Sequence, residues 1–274
     1  MATVTRFAPS PTGHLHLGHA YSALFAESQG TRFLVRIEDI DTGRCRPNFG
    51  QAILDDLAWL GLAWETPVRR QSAHMDDYAS ALSALAARDL LYPCFCTRKD
   101  IQAEINAAGH APHGPDGPIY PGICRNLPSA ERDKRIAIGT PHALRLKMDK
   151  AIAATGPLVW HDAEAGPQQA RPAIFGDVVL ARKDTPTSYH LAVTVDDYLQ
   201  GVTLVTRGRD LFEASHVHRL LQALLGYNSP AYNHHKLLTD TEGKRLAKRD
   251  QAQTLQSLRA VGFTPAEVRT LAGW

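Results

Sequence analysis

The chain has 274 residues, with 30 lysines and arginines against 28 aspartates and glutamates and a formal net charge of +2. This length allows two domains or one large α/β core with an insertion, and the balanced charge gives no bulk indication of nucleic-acid binding. We find no apolar signal sequence and no apolar run near the ~18 residues of a membrane span. The sequence therefore predicts a cytoplasmic protein without a membrane segment.

Strands and helices alternate along the first ninety residues. The apolar patterns predict strands at Val4–Ala8 and Arg32–Ile37. They predict helices at Leu17–Ser28, Phe49–Leu60 and Met75–Leu85. This β-α-β-α order predicts a doubly wound, parallel α/β sheet. Ligands of such sheets bind at the carboxyl ends of the strands, which is where the segment after Ala8 falls.

The composition changes between residues 93 and 172, where Gly and Pro cluster at 109–122. Here we predict an inserted module with a helix at Ser129–Ile138 and a strand at Ala143–Met148. After the module we predict strands at Asp177–Ala181, His190–Val195 and Val202–Thr206, followed by a helix at Leu211–Leu225. The predicted domains are a Rossmann-like unit (1–92 and 173–243), the inserted module (93–172), and a loop with short C-terminal helices (244–274).

The first predicted helix opens with His16-Leu-Gly-His19, directly after the Pro- and Gly-rich turn at 9–13. A helix N-terminus stabilises phosphate oxygens, the imidazoles add donors, and Gly18 lacks the Cβ that would obstruct a base or ribose. Two histidines three residues apart are more often a polar helix face. With its upstream turn, however, this segment resembles the HIGH signature of class I aminoacyl-tRNA synthetases of the glutamyl branch. The resemblance implies that His16, Gly18 and His19 bind ATP and that both histidines are catalytic.

A basic segment, Lys244-Arg-Leu-Ala-Lys-Arg249, resembles the second synthetase signature, the KMSKS loop. Cations suit adenylate formation because negative charge develops on the α-phosphate and on pyrophosphate. A solvated basic turn is the alternative. Lys248 matches the second lysine of the signature and is expected to be catalytic and to bind ATP. Leu246 and Ala247 depart from the usual Met and Ser.

Five further residues match the glutamate-binding positions of the glutamyl branch. The resemblance implies that these are Arg6, Ser10, Glu38, Tyr189 and Arg207. A dicarboxylic substrate needs cationic forks for its carboxylates and an acidic partner for its ammonium group, which these residue types supply. Each arginine or glutamate alone could instead form an ordinary surface ion pair.

Three of the four cysteines, Cys94, Cys96 and Cys124, lie in one neighbourhood, which favours a structural zinc site over disulfides. Chemistry alone nominates His110 or His113 as a fourth ligand. The resemblance instead implies Tyr120, because truncated paralogues of glutamyl-tRNA synthetase that keep zinc use Cys-x-Cys and Tyr-x-x-x-Cys. Three buried free thiols are the alternative. Cys45 is expected to be an inert thiol.

The resemblance runs from Arg6 to about Arg249 and implies the chemistry of these truncated paralogues. Only residues 250–274 follow, so we expect no large anticodon-binding region. The implied reaction uses ATP with Mg²⁺ to activate L-glutamate, which then passes to queuosine in the anticodon of tRNA(Asp). A minimal glutamyl-tRNA synthetase charging a tRNA 3′ end and an inactive, zinc-stabilised tRNA-binding protein are the alternatives. No obligate protein partner is inferred.

Overall fold

The computed structural model describes residues 2–107, 113–238 and 253–274. Its first part alternates parallel strands with helices: β1 (Val4–Phe7), α1 (Leu17–Ser28), β2 (Arg32–Ile37), α2 (Pro47–Trp59), β3 (Glu65–Arg70) and α3 (Met75–Ala87). The strands pair in the order β1-β2-β3, with Arg6 opposite Leu34 in β2. The predicted α/β character of this part is confirmed, and β3 is an additional strand.

The middle of the chain contains small antiparallel pairings. Its elements are β4 (Leu91–Cys94), α4 (Arg98–Ala107), β5 (His113–Gly114), β6 (Gly117–Pro118), α5 (Ser129–Ala137), β7 (Ala143–Leu146), α6 (Met148–Thr155), β8 (Val159–Asp162), β9 (Gly166–Gln169) and β10 (Val179–Ala181). β7 lies between β4 and β10 in an antiparallel sheet, and β5 pairs with β6. The predicted strand at Ala143–Met148 ends at Leu146, because Met148 begins α6.

The last part returns to parallel pairing. It comprises α7 (Tyr189–Leu199), β11 (Leu204–Gly208), α8 (Ala214–Leu225), β12 (Ala231–His235), α9 (Leu255–Ala260) and α10 (Pro265–Leu271). β11 pairs with β12, which also pairs with β8. β1 lies beside β11, since the Thr203 amide donates to the Val4 carbonyl at 3.0 Å. The parallel β1-β2-β3 sheet and the mixed β11-β12-β8-β9 sheet, in which only β9 is antiparallel, thus lie edge to edge, as in a Rossmann-like fold.

β8 and β9 fall within the sequence range 93–172 but belong to the sheet of β11 and β12. Conversely, β10 lies beyond residue 172 and pairs with β7. The domain boundaries themselves stay a prediction. No described helix is both long and apolar enough to span a membrane.

The predicted strand at His190–Val195 is wrong, because these residues lie within α7. The Ser188 hydroxyl caps this helix by accepting a hydrogen bond from the Leu191 amide at 3.4 Å. All residues from 191 to 197 are buried. A short run that is buried on every side lacks the polar face that distinguishes a helix from a strand by periodicity.

The C-terminal helices pack against the first half of the sheet. Leu255, Leu258 and Val268 are buried in the same apolar core as Leu24 of α1 and Leu57 of α2. The Leu255 amide donates to the Leu15 carbonyl at 2.8 Å, and Thr254 forms a β-bridge with His16. This contact places the start of α9 beside the N-terminus of α1.

Candidate active site

A cavity of about 460 Å³ opens where β1, β2 and β11 end and α1 and α7 begin. Its lining includes the following predicted ATP and glutamate residues: Arg6, Ser10, His16, Gly18, His19, Glu38, Tyr189 and Arg207. They come from segments up to two hundred residues apart in the chain. The strand ends of an α/β sheet therefore bring the predicted residues to one place, as expected for this fold class.

His16 and His19 together form the N-terminal cap of α1. The His16 Nδ1 atom accepts a hydrogen bond from the Gly18 amide at 3.1 Å, and His19 Nδ1 accepts from the His16 amide at 3.3 Å. The two ring centroids lie 3.9 Å apart. A Cβ on Gly18 would lie 3.0 Å from the His16 ring, so a side chain there would press on this imidazole. The signature is thus a preorganised pair of rings at a helix N-terminus.

The floor of the cavity contains a buried network of charges. Arg36 is completely buried and donates to Asp197 at 2.8 Å and to Glu38 at 3.1 Å. Arg6 donates from Nε to the same Asp197 carboxylate at 3.0 Å. Burial raises the pKa of Glu38, although the neighbouring Arg36 and Arg6 favour its charged form. Glu38 is consequently a fixed carboxylate for which a further cation in the cavity would be a favourable partner.

Arg207 differs from Glu38, which has an arginine partner, because its own charge is not balanced by an ion pair within the described residues. Its side chain is buried, and among the residues that the structure describes it forms no ion pair with a carboxylate. Its Nη1 atom lies 3.4 Å from the Tyr189 hydroxyl. A buried guanidinium without a counter-ion is costly unless an anion binds to it. The cavity is therefore lined both by a buried cation that has no carboxylate partner in the described part of the chain and by a buried carboxylate, which together complement an amino acid with an acidic side chain.

The cysteine-rich segments converge at a second site, between β4 and the segment that follows β6. The sulfur atoms of Cys94, Cys96 and Cys124 all lie within 4.8 Å of one another. The Tyr120 hydroxyl lies 3.4 Å from Cys94 Sγ and 3.5 Å from Cys96 Sγ. Tetrahedral zinc with ~2.3 Å bonds to sulfur needs ligand atoms about 4 Å apart, so these residues fit such an ion. His113 is described but does not belong to this group, and His110 lies outside the described residues.

The chain matches one protein-family model, described as the catalytic domain of class I tRNA synthetases (E and Q), over residues 2–272. A glutamyl-Q tRNA(Asp) synthetase of Rhodobacter capsulatus is 49% identical, over 98% of this chain and 99% of that protein. A glutamyl-Q tRNA(Asp) synthetase of Symbiobacterium thermophilum is 44% identical over 96% of this chain and 83% of its own length. The chain belongs to the class I tRNA synthetases of the glutamate and glutamine group.

Solved structures of this synthetase family support the same assignment. The glutamate-tRNA synthetase of Elizabethkingia anophelis superposes with a TM-score of 0.82 at 28% identity and covers 99% of this chain. The present chain spans 61% of that structure. A methionyl-tRNA synthetase of Mycobacterium tuberculosis matches at 12% identity with a TM-score of 0.55, which is a likeness of fold alone.

Lys248 and the rest of the second synthetase signature lie outside the described residues. The described residues on either side lie near the cavity, since Leu238 lines it and Thr254 forms a bridge with His16. The role of Lys248, like those of the other site residues, stays a prediction.

Sequence reasoning missed the residues that hydrogen-bond to the arginines of this synthetase pocket. Asp197 contacts Arg6 and Arg36, while His218 and His234 each contact Arg207 at 3.1 Å. The only signal available was the presence of ionisable residues in apolar runs, as in Val193-Thr-Val-Asp-Asp197. Such a residue is buried only with a partner, but the sequence does not reveal which partner.

Proposed function

We propose that the chain activates L-glutamate with ATP and transfers the glutamyl group to queuosine in the anticodon of tRNA(Asp). Relatives that are 40–49% identical to this chain are glutamyl-Q tRNA(Asp) synthetases, which supports this proposal. The observation that carries it is the cavity itself, which is lined by a signature histidine pair at a helix N-terminus, by the buried Glu38 and by Arg207, a buried cation with no carboxylate partner among the described residues.

In this proposal, the charges of the cavity select glutamate. Arg207 binds a carboxylate of the substrate, because its guanidinium has no acidic partner among the described residues. Glu38 accepts hydrogen bonds from the substrate ammonium group, which relieves the cost of burying this carboxylate. Ser10, Tyr189 and Arg6 complete the contacts along the substrate. An uncharged amide in place of the side-chain carboxylate would leave the charge of Arg207 without a counter-ion, so glutamine is expected to bind more weakly.

The proposed first step forms glutamyl-adenylate. A carboxylate oxygen of glutamate attacks the α-phosphorus of ATP, the bond to the bridging oxygen breaks, and pyrophosphate leaves. ATP enters as its Mg²⁺ complex, which shields the negative charge of the phosphates. His16 and His19 donate to phosphate oxygens at the N-terminus of α1, and Lys248 offers a cation to the developing charge. Gly18 allows the nucleotide to approach the backbone.

The proposed second step transfers the glutamyl group. A hydroxyl of the cyclopentenediol of queuosine attacks the carbonyl carbon of the adenylate, an ester bond forms, and AMP leaves with the bonding electrons. The hydroxyl proton passes to the departing phosphate or to solvent. Bases of single-stranded loops are accessible to a protein cleft, so a modified anticodon base is a suitable acceptor.

A zinc ion held by Cys94, Cys96, Tyr120 and Cys124 is proposed to stabilise the segment between β4 and α5. Burial raises the pKa of Cys96 to about 12, so this thiol is protonated at neutral pH unless a cation binds. Burial also raises the pKa of the Tyr120 phenol, whose ring lies 3.8 Å from the Arg145 guanidinium, so this hydroxyl too stays protonated at neutral pH unless a cation binds. The donor set therefore suits a soft divalent metal in a structural role.

Labelled glutamate tests the proposed function directly. The purified chain is incubated with ATP and tRNA(Asp) that carries or lacks queuosine. We expect label only in the queuosine-containing tRNA, retained after removal of the 3′-terminal nucleotide and released by mild alkali. Equal charging of unmodified tRNA(Glu) would identify a minimal glutamyl-tRNA synthetase, and the absence of glutamate-dependent ATP–pyrophosphate exchange would refute the enzymatic function.

A further inference from the structure

Arg207 is surrounded by neutral hydrogen-bonding groups that come from α8 and β12. It donates from Nε to His234 Nε2 at 3.1 Å, from Nη1 to His218 Nδ1 at 3.1 Å, and from Nη2 to Ser215 Oγ at 2.6 Å. An arginine side chain only donates hydrogen bonds, so each of these histidine nitrogens must be an unprotonated acceptor. The two histidines thereby contact two different nitrogens of one guanidinium.

Asp162 of β8 fixes the tautomer of His234. Its Oδ2 atom lies 2.7 Å from His234 Nδ1, and a carboxylate accepts hydrogen bonds, so the ring proton is on Nδ1. The Asp162 carboxylate is itself held by the backbone amides of Glu164 and Ala165, at 3.1 and 2.9 Å. His234 therefore presents its Nε2 lone pair to Arg207.

His218 has the opposite tautomer. Because its Nδ1 accepts from Arg207, its proton is on Nε2, which lies 3.1 Å from His190 Nδ1 in α7. His190 in turn has its Nε2 atom 3.6 Å from the Asp116 carboxylate, in the turn between β5 and β6. A chain of donors and acceptors thus reaches Arg207 from each side.

We propose that His218 and His234 are positioning residues, whose opposite neutral tautomers hold the Arg207 guanidinium in the orientation that receives the substrate carboxylate. This inference rests on the proposed function of the cavity. Neutral acceptors serve this purpose better than a carboxylate would, because they orient the guanidinium without neutralising its charge. Burial lowers the pKa of both imidazoles, to about 4 for His234, so both rings are neutral at physiological pH.

The two tautomers allow a reciprocal test with side chains of similar shape. An asparagine amide places its oxygen near the Nδ1 position of histidine, whereas a glutamine amide places it near the Nε2 position. His218→Asn and His234→Gln therefore keep an acceptor for Arg207, and His218→Gln and His234→Asn displace it. The KM for glutamate and for ATP and the kcat are measured by ATP–pyrophosphate exchange, and thermal unfolding verifies that each variant folds.

We expect His218→Gln and His234→Asn to raise the KM for glutamate about tenfold or more, since each removes an acceptor from a charged donor. The KM for ATP and the kcat should change little, and His218→Asn and His234→Gln should lie near the wild type. A purely space-filling role would not give this crossed pattern, because Asn is the tolerated residue at one position and Gln at the other.

An equal KM for glutamate in both variants of each pair overturns the positioning role while leaving the proposed function intact. Absence of glutamate-dependent exchange in the wild type instead refutes the proposed function, and the positioning role with it. Each pair tests the inference independently, so failure of a variant to fold at one position leaves the pair at the other position decisive.

Discussion

Arg6 and Arg207 line the same cavity, but among the residues that the structure describes only Arg6 has a carboxylate partner. Arg6 donates to Asp197 at 3.0 Å, whereas Arg207 contacts His234 and His218 and, within the described residues, no acid. Asp197 also accepts a hydrogen bond from Arg36, so the charge of Arg6 belongs to a network in which acidic and basic groups balance one another. Two arginines that look equivalent in the sequence thus differ electrostatically: Asp197 balances the charge of Arg6, whereas Arg207 has no carboxylate partner among the described residues.

Removing the two charges should have opposite effects on stability. Arg207→Gln removes an uncompensated buried cation, so we expect the free energy of unfolding to stay the same or rise while the KM for glutamate rises about a hundredfold. Arg6→Gln removes a partner from Asp197 and should lower the free energy of unfolding by a few kcal/mol, roughly 2–4. Urea unfolding and pyrophosphate exchange measure both quantities. Equal destabilisation by the two variants would contradict this assignment.

Arg36 and Arg32 provide a matched comparison on β2. Arg36 is completely buried, and its removal would take the arginine partner from Glu38 and one of the two arginine partners from Asp197, so Arg36→Met should destabilise the protein by about 3–5 kcal/mol. Arg32 forms a two-point ion pair with Glu65, but its side chain is 50% exposed. Arg32→Met should therefore cost less than about 1 kcal/mol. Thermal or urea unfolding of the two variants distinguishes these expectations, and similar losses would refute them.

The zinc proposal predicts a single bound ion per chain that a chelator removes with a fall in the melting temperature. Cys96→Ser should abolish the metal, because the remaining thiols and Tyr120 offer only three ligands. Cys45→Ser is the matched control, since this thiol lies outside the group of three cysteines. Elemental analysis of the purified variants gives the answer. Loss of the metal in His113→Ala together with its retention in Tyr120→Phe would refute the proposed fourth ligand.

Local sequence patterns predicted the first half of the fold well, because its helices have one polar face. α1 begins and ends at the predicted Leu17 and Ser28, and β2 matches the predicted Arg32–Ile37. The patterns failed where burial is complete, as in α7, and where a strand is polar, as in β3 with its sequence Glu-Thr-Pro-Val-Arg-Arg. β12, Ala-Tyr-Asn-His-His, was missed for the same reason, since its histidines are buried only through tertiary partners.

The candidate site was predictable only as a set of residue types. The resemblance selected five glutamate-binding residues, and all of them line the cavity: Arg6, Ser10, Glu38, Tyr189 and Arg207. Their electrostatic differences were not predictable, because the partners lie far away along the chain: Asp197 is 191 residues from Arg6, and His234 is 27 residues from Arg207. Long-range pairing decides which arginine is compensated, and a single sequence contains no record of it.

The neutral His234 ring should make stability depend on pH in a definite direction. Burial, reinforced by Arg207, lowers its pKa to about 4 from an unfolded value of 6.5, so below pH 6.5 the unfolded chain binds the proton more readily than the native protein. The contribution of His234 to the free energy of unfolding is fully present above pH 6.5 and is lost as the pH falls toward 4. Between pH 7.5 and 5 the expected loss is about 2 kcal/mol. Burial also lowers the pKa of His218, so this residue likewise makes the protein less stable as the pH falls.

Urea unfolding of the wild type and of His234→Gln at pH 7.5 and 5 isolates this contribution. Glutamine does not titrate. From pH 7.5 to 5 the free energy of unfolding of the His234→Gln protein should therefore fall by about 2 kcal/mol less than that of the wild type. Taking the difference between the two proteins removes the titration of groups that do not interact with His234. His161→Gln is the control, because His161 is exposed, on the same strand as Asp162. Equal falls in the wild type and in His234→Gln would show that the His234 ring is not held neutral in the native protein.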